Sequence, residues 1–240
     1  MASLSQHIQD QLKTAIEIFW STRNRQKSKQ KVGDRSAQGN RGAVTGGKQL
    51  DGFIRLLTIA AMEVGVPETW IFTKGNQLPG FFRPTKDWDL LIVSPQGKLL
   101  VAVEFKSQVG SFGKNFNNRT EEALGSAVDL WTAFRENAFP SQQAPWVGYM
   151  MIAEKAPGSI SPIRLQKFRF KVFEEFEGTS YLERYRILCR KLVLERHYSA
   201  AALVWTSSDQ EFGSLDENTS PESFLFSMMG YLKGKIDQIL

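Results

Sequence analysis

The sequence predicts an α/β fold, a mixed central sheet flanked by helices, in a single domain spanning residues 1–240. Three observations predict it. Segments with apolar residues at helical spacing alternate with short β-rich runs. Two of those runs flank Ser94-Pro95-Gln96-Gly97 and so form a hairpin. The chain of 240 residues is 42% hydrophobic and 12% aromatic, with 17 Phe and 6 Trp, enough for a large core.

Taken in order, Leu4, Ile8, Leu12, Ile16 and Phe19 repeat at a helical period, which predicts a helix from Ser3 to Ser21 with a capping box from Ser3 and Gln6. Arg23, Arg25, Lys27, Lys29, Lys31, Arg35, Arg41 and Lys48 then crowd into residues 22–48 against a single acid, Asp34, among several glycines. Such a stretch buries no apolar surface, which predicts a mobile basic arm. It is either a solvated loop or, given one sign of charge, a contact for the phosphate backbone of a nucleic acid. Leu50, Phe53, Ile54, Leu57, Ala60, Ala61 and Val64 mark a second helix stopped by Gly65 and Pro67. A short strand follows at Trp70–Thr73, then a Gly/Pro-rich loop. Trp88–Val93 and Lys98–Phe105 are the hairpin strands, within a catalytic segment at about residues 86–108. Ser107–Asn118 is expected as a Gly- and Asn-rich loop leading into a helix from about Arg119 to Asn137. Further elements are expected at Trp146–Ala153 (strand), Tyr181–Tyr198 (helix), Ala201–Thr206 (strand) and Phe224–Ile239 (helix).

Composition closes several alternatives. No apolar run reaches the roughly 18 residues of a membrane span, and the amphipathic N-terminus is unlike a secretory leader. One cysteine, Cys189, excludes an internal disulfide and a multi-Cys zinc site, so a cytoplasmic protein with no membrane partner is expected. His7 and His197 have no ligand-like spacing. Cys189 lies on an apolar helical face as a core residue. The net charge of +5 makes polyanions plausible partners.

The chemistry concentrates in the hairpin. Asp89 opens the apolar run Leu90–Val93, and Glu104 and Lys106 close the run Leu99–Val103. On a strand, residues i and i+2 share a face, and the turn brings the end of the second strand to the start of the first. Asp89, Glu104 and Lys106 are therefore expected to meet at one sheet edge. Two carboxylates supply hard oxygen ligands suited to Mg2+. Phosphodiester hydrolysis needs such an ion to neutralise charge and activate water, and a nearby ammonium to orient that water. The alternative is a strand-edge ion pair, but charge set against long apolar runs is costly unless used. Asp87 shares the face of Asp89 and is its rival; Asp89 is preferred because the apolar run anchors it.

Asp89 followed by Glu104-Phe105-Lys106 resembles the PD-(D/E)XK nuclease superfamily, with Trp88 standing where the motif's Pro would be. Gly47-Lys48-Gln49-Leu50-Asp51-Gly52-Phe53, Val103-Glu104-Phe105-Lys106-Ser107-Gln108, Phe116-Asn117-Asn118-Arg119 and Tyr181-Leu182-Glu183-Arg184-Tyr185 are similar to the XhoI-type restriction endonuclease family. The resemblance implies a restriction-endonuclease-like core and Mg2+-dependent cutting of double-stranded DNA at the palindrome CTCGAG to leave 5′ overhangs. It also implies a prokaryotic host with a companion DNA methyltransferase. Reading a palindrome calls for two-fold symmetry, hence a homodimer. The competing expectations are a repair or recombination nuclease of the same fold and a DNA-binding module without catalysis; the intact Asp89, Glu104 and Lys106 weigh against the second.

Accessory residues remain open between two roles. Gln108, at i+2 from Lys106, either helps hold water or phosphate or is solvated. Glu63, off the apolar stripe of its helix, is favoured as a surface acid over the helix glutamate that related folds lend to the metal. Lys114, Asn115, Asn117, Asn118 and Arg119, beside Lys106, suit contacts to base edges or phosphates, although Asn is also a turn former.

Overall fold

The computed structural model describes residues 4–32, 48–165 and 169–239, the side chains of residues 27–32 excepted. A six-stranded sheet runs in the order β1-β4-β5-β6-β7-β8, from β1 (Ile71–Phe72), β4 (Leu90–Val93), β5 (Leu99–Gln108), β6 (Trp146–Glu154), β7 (Ala200–Thr206) and β8 (Phe212–Gly213). The central β5-β6-β7 pairings are parallel and the outer ones antiparallel. The expected mixed sheet is therefore present. Its parallel strands are buried on both sides, which accounts for the unbroken apolar stretches in β6 and β7.

One sheet face is covered by α1 (Gln6–Val32), α2 (Asp51–Glu63) and α6 (Pro221–Ile239). Phe53 of α2 packs against Phe105 with ring centroids 6.4 Å apart, and Trp20 of α1 donates its indole N–H to Thr206 at 3.0 Å. α1 and α2 cross backbone to backbone: a Cβ on Gly52 would lie 2.8 Å from the Cα of Ala15. The other face is covered by α3 (Phe112–Arg135) and α5 (Tyr181–Leu194), with Ala123, Ala127 and Leu130 against Tyr149, Tyr185 and Leu188. A four-residue helix α4 (Pro157–Ile160) links β6 toward α5. The Ser180 and Glu183 side chains form a capping box at the start of α5.

Three expected boundaries are corrected. α1 does not stop at Ser21 but continues to Val32, because the stretch after Ser21 is rich in Arg, Gln and Lys, good helix formers, with neither Gly nor Pro. The basic stretch is thus helical in its first part. Arg35, Arg41 and the side chains of Lys27, Lys29 and Lys31 lie outside the described residues. The expected loop at Ser107–Asn118 is mostly regular: β5 runs through Gln108, and after a left-handed Ser111 α3 begins at Phe112. Phe112 stacks on Tyr181 at 6.2 Å and Phe116 meets Tyr185 edge to face at 5.2 Å, so packing overrides the turn preference of the asparagines. Lastly, the Gly/Pro-rich loop holds a separate two-stranded hairpin, β2 (Gln77–Pro79) and β3 (Thr85–Asp87), and Trp88 and Asp89 lie just before β4 rather than within it. No helix among the described residues is long and apolar enough to cross a membrane.

Candidate active site

The β4–β5 register pairs Leu90 with Val103, and the amide of Asp89 donates to the carbonyl of Val103 at 3.0 Å. Asp89 is thereby set beside Glu104. Its Oδ2 accepts the amide N–H of Phe105 at 2.7 Å, which fixes the carboxylate against the strand. Glu104 faces the α3–α5 side of the sheet and is buried, with Tyr149 next to it on β6. Lys106, two residues on and on the same side, donates to Glu104 Oε1. The hairpin thus brings Asp89, Glu104 and Lys106 together.

Electrostatics single out Asp89. Burial, then the negative charge of Glu104, push its carboxyl up to about 6, against the Phe105 amide, Lys106 and Lys86, which act the other way. A divalent cation beside Asp89 would offset both causes and favour its ionised form. Among the described residues no cluster of three or more His, Cys, Asp or Glu side chains forms a ready-made cage. Asp89 and Glu104 are the residues that would hold a divalent cation, which would supply Lewis acidity there.

Two neighbours have no counterpart among the sequence expectations. Lys86 of β3 donates to Glu104 Oε2, and Glu122 of α3 lies 3.8 Å from the Lys106 ammonium while accepting Arg119 at 2.5 Å. Lys86 stands just before Asp89 in the sequence and Glu122 far beyond Lys106, but only the packing of β3 and α3 onto β5 reveals their partners. Asp87 is exposed on the hairpin and its carbonyl accepts Lys86, so the structure brings Asp89, not Asp87, to Phe105.

Gln108 is not solvated. It is buried at the end of β5, its amide donates to the Gly110 carbonyl, and its Oε1 has no partner. Glu63 is exposed at the end of α2 and accepts the Ser5 hydroxyl at 3.0 Å, in keeping with a surface acid. Lys114, Asn117 and Asn118 are exposed on the first turns of α3, while Asn115 and Arg119 are half-buried. Arg23 is half-buried and turned inward onto Gln49, which donates in turn to Ser107, so helix continuation places it over the sheet rather than in an arm. Arg25 and Lys48 remain exposed.

A family model described as restriction endonuclease XhoI matches residues 29–216. The chain is 47% identical over 206 residues to the type II restriction enzyme BstVI of Geobacillus stearothermophilus, covering 81% of this chain and 91% of that relative. It is 42% identical over 184 residues to the type II restriction enzyme XhoI of Xanthomonas vasicola, covering 75% and 73%. It is 46% identical over 148 residues to the type II restriction enzyme AbrI of Azospirillum brasilense, covering 60% and 66%. No solved structure matches the chain significantly.

Proposed function

Because the chain belongs to the XhoI restriction endonuclease family and is thereby a type II site-specific deoxyribonuclease, we propose that it cuts double-stranded DNA at CTCGAG, leaving 5′ overhangs, with Asp89, Glu104 and Lys106 as its catalytic residues. It works as a homodimer of single-domain chains in a prokaryotic cytoplasm, alongside a methyltransferase that protects the same sequence. The observation that carries the assignment is the Asp89 carboxylate fixed on the Phe105 amide beside Glu104, with Lys106 on that glutamate.

Asp89 and Glu104 would hold Mg2+, which supplies Lewis acidity to the phosphate and lowers the pKa of a water. The Phe105 N–H fixes one oxygen of Asp89 and would leave the other for the cation. Lys106 orients the attacking water and balances the charge growing on the phosphoryl oxygens, held in line by Glu104 and, from α3, by Glu122. The exposed polar residues at the start of α3, Lys114, Asn117 and Asn118, share a helix with Glu122 and are the candidates for contact with base edges or phosphates.

The test is plasmid digestion with MgCl2 or EDTA, using wild type, Asp89→Asn, Glu104→Gln and Lys106→Met. Discrete bands from the wild type in Mg2+ alone are expected, with each variant slower by at least about a thousandfold. A smear or end-trimming would instead point to a repair nuclease. A variant that cuts at the wild-type rate removes that residue from the mechanism.

A further inference from the structure

Glu104 carries one ammonium on each carboxylate oxygen, Lys106 on Oε1 and Lys86 on Oε2. The two lysines arrive differently. Lys106 lies on the same strand as Glu104, in register with Met151 of β6, so the central sheet fixes its backbone beside that glutamate. Lys86 belongs to β3, in the separate two-stranded sheet. Its side chain is only 11% exposed; its ammonium also donates to the Asp87 carbonyl at 2.9 Å and sits 4.4 Å from the centre of the Trp88 ring.

Lysine is rarely buried this far unless its charge has a partner. Here the partner is a carboxylate assigned to a metal ion. Without that ion, a second ammonium lowers the cost of keeping Glu104 charged and buried. When the ion arrives, it adds two positive charges beside both ammoniums, and like charges in a half-buried site repel. The lysine on the separate hairpin is the one able to yield. A DNA phosphate entering the site would then offer it a new anionic partner.

Resting on the reading of Asp89 and Glu104 as metal ligands, we propose that Lys86 is a second active-site lysine. It serves as counter-ion to Glu104 in the DNA-free protein, gives way to the divalent cation, and then binds the phosphate backbone beside the cut.

The experiment measures Mn2+ binding to the full-length, DNA-free protein by loss of the free-ion EPR signal, and DNA affinity against salt in a second arm. Lys86→Met should bind Mn2+ roughly five- to tenfold more tightly than wild type, because a competing charge is gone. Lys86→Gln keeps a donor for Glu104 and removes only the charge, so it should shift Mn2+ affinity the same way, and it serves if the methionine variant folds poorly. With a duplex, both should lower the salt slope of binding by about one unit. Unchanged or weaker Mn2+ binding in a folded variant would overturn the proposal and leave Lys86 a structural ion-pair partner, and so would an unchanged salt slope. Glu104→Gln separates the two readings: if it binds Mn2+ as wild type does, the metal-site assignment itself fails, whatever Lys86 does.

Discussion

Asp89 and Asp129 are both packed into the protein, and their surroundings turn burial to opposite ends. At Asp129 burial pushes the carboxyl up, but the amides of Phe82 and Phe81 and the Arg83 guanidinium outweigh it and hold the group below its ordinary value. Its contribution to stability is present above the ordinary carboxylate range and lost only at lower pH. At Asp89 burial and Glu104 prevail, and the carboxyl stands at about 6 against an ordinary 3.8. The folded chain therefore holds a proton there that the unfolded chain has released, so this contribution is full below pH 4 and lost as pH rises through 6. The difference corresponds to about 3 kcal/mol as an upper figure. In EDTA, the wild type should lose stability between pH 4 and 7 relative to Asp89→Asn, read from urea midpoints; parallel pH profiles for the two proteins would remove Asp89 as the cause. At pH 7.5, Mg2+ should restore wild-type stability and leave the variant unmoved. The residues of this site were legible to the extent that they broke a pattern. Asp89, Glu104 and Lys106 interrupt apolar runs at hairpin spacing. Lys86 and Glu122 interrupt nothing, and only tertiary packing reveals them.

Among the elements, the β2–β3 hairpin was hidden because its strands are short and its loop, Gly80-Phe81-Phe82-Arg83-Pro84, looks like punctuation. What makes it an element is one aspartate on another. Asp129 of α3, 3% exposed, accepts the amides of Phe81 and Phe82 at 2.8 and 2.9 Å and the Arg83 Nε at 2.6 Å. A Cβ on Gly80 would strike the Arg83 carbonyl at 2.6 Å, so this turn also needs glycine. Asp129→Ala removes the acceptor of two loop amides and returns the half-exposed Arg83 to water, and should cost roughly 1–3 kcal/mol in urea unfolding. Because the hairpin carries Lys86, the same variant should also lose its hold on DNA while its DNA-free Mn2+ affinity rises. Stability and DNA affinity that both match wild type would show that the loop is held by something else. The early start of α3 teaches a related lesson. Asparagines and a glycine argued for a loop, yet Phe112 and Phe116, with tyrosine partners on α5, decided the matter, and those partners are distant in sequence.

At the scale of the molecule, the layered architecture was legible because parallel strands buried on both faces leave long apolar runs, and helices leave their period. The quaternary arrangement was not, since a two-fold surface is made of ordinary exposed residues and carries no pattern of its own. Two predictions belong here. Neutralising Arg25, Lys27, Lys29 and Lys31 together should weaken binding to all duplexes alike and lower the slope of log affinity against log salt by about one per lost phosphate contact. An unchanged slope would mean that this end of α1 does not touch the backbone. The second concerns specificity. Among the described residues each chain carries one candidate centre, and one centre cuts one strand at a time, so a staggered double-strand break most simply needs two chains related by the symmetry of the DNA site. The staggered geometry also requires the two centres to face the major groove across the dyad, where each base pair displays its own donors and acceptors. The start of α3, adjacent to Lys106, is the element that would enter it. A plasmid with a single CTCGAG should be linearised with 5′ overhangs, and one altered base pair should slow cutting by roughly ten- to a hundredfold, the equivalent of about 1–3 kcal/mol. Sedimentation with saturating cognate duplex should give two chains per DNA. Equal cutting of both plasmids, or a single chain on each duplex, would contradict the palindrome and the dimer together.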